Sequence, residues 1–206
     1  MQSATIPAIG QEASIQSVDV SEQMAVRGRR IGVTVLAVFG GLWLAGGCSL
    51  SGAGIPIYLC IAAVAVAMVI AVGRVAATPL LTPDRLRSDP LQVRRGRIFH
   101  WINGAQWVAA AALIAVLNVV HHPEWIMAGI MLIVGLHFLP LARLFNHRPH
   151  VWLGVALSGW AIAYPLILAQ GPTSPWGPIG AGLILWAAGL AALAVLAQHR
   201  PGASNG

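Results

Sequence analysis

The side chains able to do chemistry in this sequence are few, and most sit inside apolar runs. His100, Asn103, Gln106, Asn118, His137, Ser158 and Tyr164 are polar groups in stretches otherwise built of Ala, Val, Leu, Ile and Gly. Polar groups at membrane depth are costly to desolvate, so each is a candidate for binding, proton transfer or interhelical hydrogen bonding. Folding the chain back at the polar link 121–124 sets His137 level with Val108, close to Gln106 and Trp107. A second fold at 145–150 sets His137 opposite Ser158. Gln106, His137 and Ser158 therefore predict one polar layer across three helices, with Asn103 about one turn nearer the inner side. Counted along the helix, His137 lies roughly 10 Å inside the membrane from that side. Such a layer suits a proton relay or a substrate contact, or packing hydrogen bonds worth roughly 0.5–2 kcal/mol each. The absence of Asp, Glu or Lys from the layer favours packing.

Other chemistries find less support. A bis-histidine haem needs two rings at one height, and His100 falls level with Phe145, roughly 12 Å from His137. His121, His122 and Glu124 are ligand types, but adjacent histidines in a turn diverge, Pro123 stiffens the link and a fourth ligand is missing. No metal and no cofactor is therefore expected. The two cysteines, Cys48 and Cys60, form no CxxC motif and come close enough in a tight hairpin for a bridge without being forced into one. No carboxylate pair, nucleophile with base or metal set lies in the apolar runs, so no catalytic residue is assigned and an enzyme is the weakest reading.

These residues are positioned by runs of apolar side chains, each about 20 residues long, the length that crosses a hydrocarbon core of ~30 Å. With 57% hydrophobic and 9% charged residues in 206, the chain has too few ionic groups to clothe a soluble globule. The pattern predicts an all-α, polytopic membrane helix bundle with six transmembrane helices at about 31–50, 55–73, 98–120, 125–144, 151–169 and 177–196. Residues 1–26 read as a disordered tail, 27–197 as the membrane domain with an arginine-rich loop at 74–97, and 198–206 as a second tail. In that loop Thr82, Pro83 and Asp84 spell a helix start. The residues before Cys48 imitate a lipoprotein cleavage site poorly, which leaves the first run as an uncleaved signal anchor.

The net charge of +6 comes from twelve basic residues, all arginine, clustered at the ends of apolar runs. With the N-terminus inside, every arginine falls on the cytoplasmic side and the outer loops hold none, which places both termini in the cytoplasm. Trp101, Trp125, Trp152 and Trp176 lie near run ends, where interfacial aromatics belong. No basic face interleaved with aromatics suggests nucleic-acid binding. The lipid bilayer is the expected partner, together with anionic lipids at Arg85, Arg87, Arg94, Arg95 and Arg97 and a second copy or another membrane protein.

The string IVGLHFLPLA at 133–142, within the hairpin 99–145, resembles a family of small bacterial multipass membrane proteins with a GLHFLPLA-type motif and no assigned activity. The resemblance implies a bacterial inner-membrane protein in which His137 and Pro140 are defining features. Pro140 frees the Leu136 carbonyl, leaving a backbone acceptor beside a titratable ring. Two functions fit the sequence: a structural, accessory or regulatory membrane protein, or a small-molecule or proton-coupled transporter using the layer around His137.

Overall fold

The computed structural model describes residues 8–75 and 90–198. Six helices cover nearly all of them: α1 (Ala8–Leu50), α2 (Ile55–Val75), α3 (Pro90–Val119), α4 (Ile126–Leu144), α5 (Arg148–Ile167) and α6 (Trp176–Gln198). Each contains a stretch long and apolar enough to cross a membrane. Among the described residues there is no strand. Helices are the expected solution in lipid, because every backbone donor and acceptor must be satisfied within the segment. At 43 residues α1 is about 65 Å long, twice what the hydrocarbon needs. It begins at Ala8, so helix extends into the polar segment ahead of the first arginines. The start of α3 at Pro90 likewise makes the end of the 74–97 segment helical, whereas Thr82, Pro83 and Asp84 lie outside the described residues.

Three of the short links close helix ends in the same way. Gly52 (φ 72°), His121 (φ 59°) and Asn146 (φ 48°) adopt the left-handed conformation just past α1, α3 and α4. In each case the next amide reaches back to a carbonyl five residues earlier: Ala53 to Cys48 at 3.0 Å, His122 to Leu117 at 2.8 Å and His147 to Ala142 at 2.9 Å. These are Schellman closures, with His and Asn standing where glycine is commonest. They reverse the chain within a few residues, so successive spans alternate in direction. Arg74, Arg94, Arg95, Arg97, Arg143 and Arg148 consequently gather at one end of the bundle, with Arg27, Arg29 and Arg30.

The helices pack in the order α2, α1, α6, α5, α4, α3. Without a hydrophobic drive in lipid, close backbone approach through small residues holds such neighbours together. At the α1–α6 crossing a Cβ on Gly182 would sit 2.5 Å from the Leu44 side chain and 2.7 Å from the Gly40 carbonyl, and one on Gly47 would sit 2.8 Å from the Pro175 carbonyl. Beside it the Trp186 indole donates to the Ala37 carbonyl at 3.0 Å. Between α5 and α6, Gly177 lies under the Tyr164 ring and the Trp160 indole donates to the Gly177 carbonyl at 2.9 Å. α3 stands at the margin with α4 as its main neighbour, and the most apolar window of its span has no buried residue. Trp125, Trp152 and Trp176 are exposed near helix ends, as an interfacial belt requires, and Trp101 is exposed eleven residues into α3, near the start of its apolar run.

Candidate functional site

The seam between α3 and α4 is built by one stripe of α3. Phe99, Ile102, Asn103, Gln106, Ala110, Leu113 and Leu117 recur at three- and four-residue steps and are half-buried. They face α4, where Gly129 leaves room for the Leu113 side chain. His137 of α4 turns into this seam and its ring lies beside the Ile102 backbone. Asn103, Gln106 and His137 thus share a seam, as their types and spacing suggest. The contact at Ile102 lies about a turn and a half from Val108, the position that level antiparallel helices would put opposite His137. His137 Nδ1 is sealed from solvent and has no hydrogen-bond partner. The ring packs edge-on to Phe138, with centroids 5.9 Å apart.

Ser158 belongs to a different contact. A Cβ on Gly135 would collide with its hydroxyl and approach the Ser158 amide nitrogen at 2.7 Å and the Gly154 carbonyl at 3.1 Å. A Cβ on Gly154 would in turn lie 2.8 Å from the Gly135 carbonyl. Gly135, Gly154 and Ser158 are therefore where α4 and α5 cross, with backbone against backbone. Residues two apart on a helix point roughly 200° away from each other, so Gly135 and His137 occupy opposite faces of α4. The expected three-helix layer is divided accordingly, with His137, Gln106 and Asn103 toward α3 and Ser158 toward α5. The Ser158 hydroxyl is buried and also lacks a partner.

The other intramembrane polar groups are tied to backbone or exposed. Asn118 donates to the Ile114 carbonyl at 2.8 Å, within its own helix. Tyr164, fully buried, donates to the Pro172 carbonyl at 3.3 Å and pins the α5–α6 link against the bundle. His100 is exposed on the outer side of α3. At the opposite end His122 and Glu124 pair at 2.9 Å, and among the described residues no group of three His, Cys, Asp or Glu could hold a metal ion. Cys48 and Cys60 are free thiols. Arg94, Arg95 and Arg97 are exposed along α3, and Arg85 and Arg87 lie outside the described residues.

One cluster at the arginine-rich end escapes sequence reading. His147 and His150 bring their rings to 4.8 Å, and Phe138 stacks at 5.9 Å on His150, whose Nδ1 is buried without a partner. Burial, and then the nearby Arg29 of α1, hold the His147 imidazole below the usual histidine range. The HxxH spacing at 147–150 was a visible signal, because three residues apart is one helical turn. The approach of Arg29, more than a hundred residues earlier, was not.

Compared with protein-family models, with curated proteins and with solved structures, the chain matches none.

Proposed function

We propose that the chain is an integral membrane protein with a structural, accessory or regulatory part, in which the polar seam fastens α3 to the rest of the bundle. The observation that carries this reading is the state of His137: its ring lies beside the Ile102 backbone of α3 and its Nδ1 is closed off from solvent. A transport site needs its titratable group open to water on at least one side in each half-cycle. α3 has α4 as its principal neighbour, so the packing of that seam holds much of its place. The arginine distribution supports cytoplasmic termini, and the GLHFLPLA resemblance supports a bacterial inner membrane.

A second reading, a proton-coupled or small-molecule transporter, draws on the unpartnered His137 Nδ1 and Ser158 hydroxyl. Two buried polar atoms without partners are the groups a translocated proton, water or substrate would satisfy. Two replacements separate the readings. His137→Gln keeps a donor and removes titration, whereas His137→Ala removes both. The packing reading expects wild-type abundance and thermal stability for His137→Gln and a loss of stability for His137→Ala. A His137→Gln protein that is fully folded but has lost the phenotype of the wild type would overturn it in favour of transport.

A further inference from the structure

The outward face of α3 differs from the other exposed helix faces. Val93, Arg97, Trp101 and Gly104 follow one another at three- and four-residue steps and, with Gly96 and His100, line a shallow depression of about 620 Å³ at the arginine-rich end of the helix. Gly96 and Gly104 form its floor, and a Cβ on either would meet nothing within 4 Å. Trp101 is 74% exposed at its rim. Arg94 and Arg95, one turn before, are exposed as well. The opposite side of the helix carries the seam with α4, so the depression faces away from the bundle.

We propose that this depression holds one anionic phospholipid, its phosphate against Arg97 and His100, its glycerol beside Trp101 and one acyl chain laid over Gly104 toward Val108. The charge argues for this occupant: an arginine and a histidine in the lining complement a phosphate at the head-group level. The length fits, because Arg97 to Gly104 descends about 10 Å, from the interface into the hydrocarbon. A tryptophan at the junction is the residue expected there. A second copy packed by this face would set Arg97 against Arg97 and Arg94 against Arg94, a repulsion that a lipid anion removes. The proposal goes beyond the role given to His137 and does not rest on it.

The test is native mass spectrometry of the full-length protein released from vesicles of equal phosphatidylglycerol and phosphatidylcholine. One phosphatidylglycerol per chain is expected to be retained in preference to phosphatidylcholine. Arg97→Gln should weaken retention about fivefold, the effect of one interfacial arginine. Gly104→Leu should lower it while helix content and thermal midpoint stay at wild-type values, since the added side chain enters open space. Arg143→Gln, an exposed arginine at the same end of α4, should leave it unchanged. Equal retention of both lipids, or equal loss in the Arg97 and Arg143 variants, would show diffuse attraction and overturn the site. So would unchanged retention in Gly104→Leu, or ready disulfide formation between two Gly104→Cys chains at low protein density.

Discussion

Replacing Gly135 by alanine is the sharpest perturbation of this bundle, because it adds one methyl where two backbones touch. The new Cβ would meet the Ser158 hydroxyl, lie 2.7 Å from the Ser158 nitrogen and 3.1 Å from the Gly154 oxygen. Rotation of Ser158 relieves the first contact only. Raising 2.7 Å to an ordinary 3.4 Å requires α4 and α5 to part by about 0.7 Å. A gap of that size forfeits roughly a quarter to a half of the dispersion energy of each contact along the crossing. The expected cost is about 1–3 kcal/mol, the usual range for overpacking. Reversible unfolding by dodecyl sulfate in bicelles, followed by circular dichroism, measures it. Gly159→Ala, one position from Ser158, is the internal control, because its Cβ would meet nothing within 4 Å. It should be neutral, or stabilise by up to about 1 kcal/mol through helix propensity. Equal stability of Gly135→Ala and wild type, or equal losses in the two variants, would refute the crossing.

Three further outcomes follow from the same geometry. Trp186→Phe keeps an aromatic ring but removes the donor to Ala37 and shrinks the side chain packed over Gly40, so it should destabilise the α1–α6 contact by at least roughly 0.5–2 kcal/mol in the same unfolding assay. Thiol titration of the unfolded protein under non-reducing conditions should count two free cysteines, and in the folded protein an apolar maleimide should modify the exposed Cys60 faster than Cys48. His147 is held below the ordinary histidine value of 6.5, so between its folded value and 6.5 the unfolded chain binds more protons than the folded one. Stability should therefore fall as pH drops below about 6.5, and both His147→Gln and Arg29→Gln should flatten that part of the unfolding profile.

The existence and order of the six helices were legible because hydropathy alone reports them. Lipid imposes a length near 20 residues on every crossing, and the short links 121–124 and 145–150 force adjacent runs into hairpins. Helix ends were less so: Pro90 starts α3 well before the apolar residues of its span, since a helix continues into the interface wherever its own hydrogen bonds suffice. The heights of Gln106, His137 and Ser158 could be counted, but counting gives level and not azimuth. Gly135 and His137 are two residues apart, and which of them meets α5 depends on the close backbone approach at Gly154. Small residues made that approach available in the sequence at many places, and only packing selects among them. The marginal position of α3 was hidden for the same reason, because its half-buried stripe holds Asn103 and Gln106 and is no more apolar than its lipid-facing side. The histidine pair 147 and 150 lay in plain view, whereas its neighbour Arg29 required the tertiary fold.

The account turns on His137 and Ser158 being closed to water in their two seams. Single cysteines at His137 and at Ser158, in a chain with Cys48 and Cys60 replaced by alanine, can be exposed to a membrane-impermeant thiol reagent from each side of sealed proteoliposomes. Both positions should stay unmodified while Asn146→Cys, in the exposed link after α4, reacts from one side. Modification of both seam positions in a folded protein, at a rate approaching that of the Asn146 control, would contradict the account and establish a water-filled path through the bundle.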